Sequence, residues 1–244
     1  MTEWYVSEGL SLAHQKTEAI MLTARKIPKP LTFKCGDSDI TVQEKALNYA
    51  SALSLLMPNA YSAGNLPRRL YYRVVEAVIM YAAPIWGTSL VFKGNVDLIN
   101  GMQRTALLRV ARAYCTTSAD ALCVITGHIP LDLLVGERMR LFEKRSKNPN
   151  KALNDRDKEE ERKNTMARWQ EHWGSSMKGR WTYRLIPNIG EWYNWGPGLL
   201  DYHLTQALIG HGCFGMYLKK FKKQESADCW FCPGITDDPE HTIF

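Results

Sequence analysis

The chain has 244 residues, 45% of them hydrophobic and 23% charged, with a formal net charge of +6, so it can bury a real core in one or two domains and is globular at least in part. Its longest apolar run, around Val74 to Trp86, is broken by Glu76 and Pro84, and the start at Met1, Glu3 and Tyr5 lacks the basic-then-apolar order of a signal peptide; no membrane span and no secretion are expected, which leaves an intracellular protein, nuclear or cytoplasmic. Six unevenly spaced cysteines in a chain of this length read as metal use in a reducing compartment rather than a disulfide framework, while the mild positive charge permits a polyanionic partner without demonstrating one.

Trp4, Tyr5, Leu10 and Leu12 around Gly9 predict the end of a helix and a turn, with nothing before it to pack on, as if the chain entered in mid-domain. Ala19 to Thr23 is a short apolar run between polar residues and reads as a strand. Leu31, Phe33 and Cys35 then alternate with Thr32 and Lys34, Gly36, Asp37 and Ser38 supply a turn, and Ile40 and Val42 resume the alternation. That pattern is a hairpin.

From Gln43 to Arg145 the period becomes helical. Leu70, Val74, Ala77, Val78 and Tyr81 form one stripe, which Pro84 is expected to end. Ile99, Met102, Ala106, Val110 and Ala113 form another, with Arg104, Arg109 and Arg112 gathered within about 140° of arc on the same helix. These arginines are candidate nucleic-acid contacts, against the commoner alternative of a solvated helix face. Thr117 or Ser118 is a candidate cap for a short helix closed by Gly127, and Asp132 suits the first turn of the next, which carries Leu131, Leu134, Val135, Met139 and Phe142. The whole reads as a helical bundle.

Ser146 to Asn154 is polar around Pro149 and reads as a linker, followed by nine charged residues of both signs from Asp155 to Lys163. With Met166, Trp169 and Trp173 at helical spacing, this is a helix that packs by one edge and exposes its charges. Lys178, Arg180, Trp181, Tyr183 and Arg184 interleave cations with aromatics, as single-strand binding surfaces do; an aromatic strand with snorkelling basic residues is an equal alternative. Leu199 to Ile209 predicts a helix closed by Gly210, and Lys219, Lys220, Lys222 and Lys223 stand shortly before Cys229. Such a basic segment suits phosphate contact, and equally suits solubility.

Cys229 and Cys232, three apart, and His241 have the residue types and order of three zinc ligands, with a fourth expected past Phe244. The alternative is a buried cysteine pair, but Pro233, Gly234, Asp237, Asp238 and Pro239 make the intervening segment a turn-rich loop with little core around it.

Gly9-Leu10, Gln15 to Glu18, Leu56 to Asn59, Tyr81 to Trp86, Lys178 to Pro187, Gly210 to Phe214 and Glu240-His241 stand in an order that resembles the polyproteins of non-LTR, LINE-type retrotransposons. The resemblance runs over almost the whole chain and implies a mainly α fold with four parts. Residues 1–45 would be the remnant of a reverse-transcriptase palm, a strand plus a short hairpin, and 46–145 a helical thumb-like bundle. Residues 146–198 would be a charged linker helix and an aromatic-basic segment, and 199–244 a helix with a truncated, incomplete Cys-Cys-His zinc knuckle. By position Lys16 would be the palm-motif lysine that approaches the incoming nucleotide, although a surface lysine at a strand entrance is the plainer alternative.

The departures from the family pattern are as informative. No Tyr- or Ala-x-Asp-Asp motif precedes Gly9, Asp237-Asp238 lies in the zinc loop, and Asp37 and Asp39 fall in the hairpin. No catalytic residues for polymerisation are assigned, since that chemistry needs carboxylates holding two metal ions; magnesium would belong to the intact parent enzyme. The primer-gripping Tyr-Leu-Gly segment that would follow Val42 is also missing. The expectation is a reverse-transcriptase fragment that binds RNA or DNA without polymerase activity of its own, possible company for other retrotransposon proteins, with no oligomeric state specified. A zinc-dependent structural or protein-interaction module using Trp181, Trp192 and Trp195 is the alternative, and an active nucleotidyl transferase or nuclease a third that lacks the residues. Zinc itself is expected at Cys229, Cys232 and His241.

Overall fold

The computed structural model describes the strand backbone at 19–20, 32–35 and 38–43, and residues 64–147, 153–194, 196 and 200–244. The chain divides into two units, Met1–Tyr49 and Ala50–Phe244. In the first, β1 (Ala19–Ile20) pairs in parallel with β3 (Ser38–Gln43), which pairs antiparallel with β2 (Thr32–Cys35) in the register Phe33 to Ile40 and Cys35 to Ser38. The sheet order is β1-β3-β2. The expected strand residues beyond Ile20, the turn at Gly36 and Asp37, and Lys16 lie outside the described residues.

The second unit is helical among its described residues, and the only strand-like pairing there is an isolated bridge between Asp228 and Thr236. The chain is thus mainly α. Its first described helix, α1 (Asn65–Ile79), corrects the sequence reading. Arg68, Tyr71, Tyr72, Val75 and Ile79 are buried, whereas Leu70, Val74 and Tyr81 of the expected core stripe are 66%, 41% and 73% exposed. The inward face is the one whose polar ends find partners: Arg68 donates to the Arg109 carbonyl and the Tyr72 hydroxyl meets Gln103, so these large side chains bury their apolar bodies without orphaning a polar group. Pro84 does not end this helix, which stops at Ile79. It sits in the first turn of α2 (Ala83–Trp86), after Ala82 in the left-handed region at φ 52°, a position where its missing N–H costs nothing.

A 3-10 turn over Gly87–Val91 leads to α3 (Lys93–Ala111), which buries Ile99, Met102, Ala106 and Val110 as their spacing predicts. The core is closed by α4 (Ala119–Thr126) and α5 (Leu131–Lys147). Ser118 caps α4 by accepting from the Ala121 N–H, and Gly127 closes it at φ 66°. Between these helices Gln103 is a buried tie: its Nε2 donates to Tyr72 Oη at 2.7 Å and to the Ile129 carbonyl at 2.8 Å, and its Oε1 accepts from the Leu131 N–H at 2.9 Å.

Asn154 and Asp157 form a capping box at the start of α6 (Asp155–Ser175), which satisfies two helix-end donors at once. This helix packs on α5 through charge: Glu161, 5% exposed, accepts from Arg140 at 2.6 Å and Lys144 at 2.8 Å, and Arg162 pairs with buried Glu137 at 2.8 Å. The charged run from Asp155 is therefore not all solvated surface. Its other contact edge is aromatic, with Trp169 and Trp173 each 1% exposed and the Trp173 indole donating to the Ile186 carbonyl. Short helices follow: α7 (Arg180–Leu185), α8 (Ile189–Asn194), α9 (Tyr202–Ile209), α10 (Gly215–Lys220) and α11 (Pro239–Ile243). Among the described residues no single helix is long and apolar enough to cross a membrane.

Candidate functional site

The segment after α10 is built around Asp237 and Asp238. Asp237 accepts from the Gly215 N–H through Oδ2 and from Thr242 Oγ1 through Oδ1, while its backbone bonds Met216 and Ala227. Asp238 caps α11 by accepting from the His241 N–H at 2.8 Å, with Pro239 in the first turn. The Asp-Asp pair thus holds the module together. An Asp followed directly by Pro is a helix-start signal, so the stretch expected to be only a turn-rich loop ends in a capped helix.

Those bonds set the candidate metal centre. The Cys229 N–H donates to the Ile235 carbonyl and the Ile235 N–H to the Cys232 carbonyl, closing a tight turn at Gly234, φ 82°. One turn of α11 then brings His241 back over the two thiols. The ligand atoms of Cys229, Cys232 and His241 all lie within 4.8 Å of one another, and each residue is part-exposed. The Phe231 backbone N–H, and then the His241 side chain, hold the Cys229 thiol below its ordinary pKa, which favours the thiolate; burial and the Cys229 sulfur push Cys232 up. Two sulfurs and an imidazole at this separation match a zinc donor set, whose bonds are about 2.0–2.3 Å long. Zinc would be held by these three side chains. Beside them Trp230 and Phe231 are 83% and 93% exposed.

The expected nucleic-acid residues fall into different surroundings. Lys219 and Lys220 end α10, and Lys222 and Lys223 follow it; all four are exposed. Lys178 is exposed on the turn before α7. The aromatic-basic segment is a helix, not a strand, and its rings are half-buried. The Trp181 indole donates to the Ala207 carbonyl at 2.8 Å and lies against Gly210. Tyr183 sits 5.6 Å from Trp173 with the Arg180 guanidinium 3.8 Å from its centroid. Arg180 also donates to the Ser176 carbonyl, and exposed Arg184 pairs with Glu240 at 2.7 Å. On α3, Arg104 donates to the carbonyls of Thr117 and Cys115, the Arg109 carbonyl accepts from Arg68, and Arg112 is the helix's left-handed C-terminal cap at φ 57°. Structure brings Arg104 and Lys178 together on one cavity wall. Trp192 is half-buried, and Trp195 lies outside the described residues.

The described residues define a mainly helical protein with a small cysteine-histidine module towards its C-terminal end. The chain is similar over most of its length to retrovirus-related Pol polyproteins from type-1 retrotransposable elements. It is 27% identical over 180 residues to the retrovirus-related Pol polyprotein from type-1 retrotransposable element R1 2 of Nasonia vitripennis, covering 68% of this chain and 43% of that protein. It is 27% identical over 223 residues to the R1 Pol polyprotein of Bradysia coprophila, covering 84% of this chain and 22% of that one. A further R1 Pol polyprotein of Nasonia vitripennis is 26% identical, with 93% of this chain and 79% of the relative covered. The chain spans less than half the length of the first two. No family profile matches it, and no solved structure does.

Proposed function

We propose that the chain is the nucleic-acid-binding, non-polymerising part of a retrotransposon reverse-transcriptase polyprotein: the end of a palm at 1–45, a thumb-like bundle at 46–145, and a zinc knuckle carried by 199–244. The observation that carries this is the similarity to R1 Pol polyproteins along most of the chain. The Cys229, Cys232 and His241 cluster supports the knuckle, and the exposed lysines beside it supply phosphate contacts without base reading. RNA or DNA is the expected partner, with other retrotransposon proteins as company.

Zinc content and RNA binding measured on the same preparations test this. The unaltered chain should carry about one zinc per molecule, and the Cys229→Ser, Cys232→Ser double variant should lose both the metal and most of its affinity for single-stranded RNA. Equal zinc content in the two proteins removes the knuckle from the account. Loss of zinc with unchanged RNA affinity leaves a purely structural metal, and favours the zinc-dependent structural module instead.

A further inference from the structure

α5 and α6 run antiparallel, tied by Arg162 on Glu137, Arg140 on Glu161 and Lys144 on Glu160. Along this pair lies an open groove of about 710 Å³. Its apolar lining comes from Leu141 and Phe142 of α5, Leu153 just before α6, and Pro84 of α2. Phe142 is 53% exposed, although its spacing puts it on the apolar stripe of its helix. A single exposed apolar residue is ordinary; a phenyl ring grouped with two leucines and a proline along one groove is a contact surface.

The groove also carries an excess of positive charge. Glu137 is neutralised by Arg162 at 2.8 Å, and Lys158 is engaged by Asp155 at 2.9 Å. Arg138, Arg145 and Lys163 are exposed and make no ion pair among the described residues, against the one remaining carboxylate on the wall, Glu159. Arg138 and Arg145 are seven residues apart, two turns or about 10.5 Å along the same side of α5, with Leu141 and Phe142 between them. A nucleic-acid strand would engage chiefly the cations, because Phe142 is the one aromatic side chain lining the groove and the other apolar groups offer no flat ring for a base. A third helix laid along the pair engages both features. It inserts leucine-sized side chains at every third or fourth residue against the apolar lining, and carboxylates seven residues apart on its flank match the rise between Arg138 and Arg145.

We propose that the groove between α5 and α6 docks an acidic amphipathic helix of another protein, whose apolar stripe covers Leu141, Phe142 and Leu153 and whose flanking carboxylates pair with Arg138, Arg145 and Lys163. This surface is independent of the nucleic-acid-binding role and adds a protein partner to it. The test titrates the full chain, isotopically labelled at its leucine methyl groups, with a synthetic helical peptide of three heptads that has leucines at a and d and glutamates on both flanks. A peptide with the same leucines and lysine flanks is the control. The glutamate peptide should shift the methyl signals of Leu141 and Leu153 and saturate at micromolar concentrations, and the lysine peptide should need about tenfold more. Phe142→Ser should raise the dissociation constant of the glutamate peptide about tenfold, and the double variant Arg138→Glu, Arg145→Glu should reverse the order of the two peptides. Methyl signals that stay in place, equal binding of the two peptides, or binding that Phe142→Ser leaves unchanged each overturn the docking site. Single-stranded RNA that displaces the peptide and itself shifts Leu141 and Leu153 assigns the groove to nucleic acid and overturns the site as well. RNA that binds while these methyls stay in place, in a chain where the glutamate peptide moves them, is the expected result.

Discussion

His128, in the connection between α4 and α5, is 5% exposed, its ring centroid 4.0 Å from that of Tyr72 and its Nδ1 without a partner among the described residues. Burial, aided by Arg73 and Arg69, pushes its pKa from 6.5 down to about 3. The folded chain therefore binds fewer protons at this ring than the unfolded chain does, so stability is fully present above the unfolded value and is lost as pH falls below it, towards the folded one. At pH 4.5, two units below the ordinary histidine value, the loss is about 2.7 kcal/mol, at roughly 1.36 kcal/mol per unit. His128→Phe keeps a ring against Tyr72 and removes the titration. Urea unfolding of both proteins at pH 7.5 and 4.5 gives the comparison. The unaltered chain should lose about 2–3 kcal/mol more on acidification than the variant, because carboxylate titration and any acid loss of metal are common to both. An equal loss in the two would refute the buried, neutral state of this histidine.

Gln103→Leu keeps the volume of a buried side chain but strands the Tyr72 hydroxyl, the Ile129 carbonyl and the Leu131 N–H; a destabilisation of about 3 kcal/mol or more is expected by urea unfolding, since each stranded buried group costs about 1–3 kcal/mol. Glu161→Gln removes the negative charge that both Arg140 and Lys144 bind. Thermal unfolding should register a loss of about 2 kcal/mol, less than a fully buried pair because Lys144 is partly solvated.

The helical character of the chain and several of its boundaries were legible because they depend on local chemistry. Ser118 and Gly127 bracket α4, Gly210 closes α9, and the Ile99 to Val110 stripe is buried, all within one or two turns of the residues that signal them. Trp169 and Trp173 likewise marked the packing edge of α6. The inward face of α1 was not legible. Leu70 and Val74 are the more apolar residues, and the choice of Arg68 and Tyr72 depends on Arg109 and Gln103, some thirty to forty residues away in the chain. Glu161 shows the same limit: within a charged run nothing local distinguishes the one carboxylate that Arg140 and Lys144 bury. At the candidate site the Cys229, Cys232 and His241 grouping could be read from spacing, because the loop between them is short and α11 completes the return. The meeting of Arg104 and Lys178 could not, since it is made by the packing of α3, α4 and α7.

The proposed binding of single-stranded nucleic acid through exposed lysines is tested most directly by its dependence on salt. The measurement is the fluorescence anisotropy of a labelled single-stranded RNA titrated with the zinc-loaded chain across a series of potassium chloride concentrations. Engagement of Lys219, Lys220, Lys222 and Lys223 with four phosphates gives a log–log slope of roughly −3, at about 0.7 per phosphate on a single strand. A slope near zero, or no binding at low salt, would contradict a nucleic-acid-binding role.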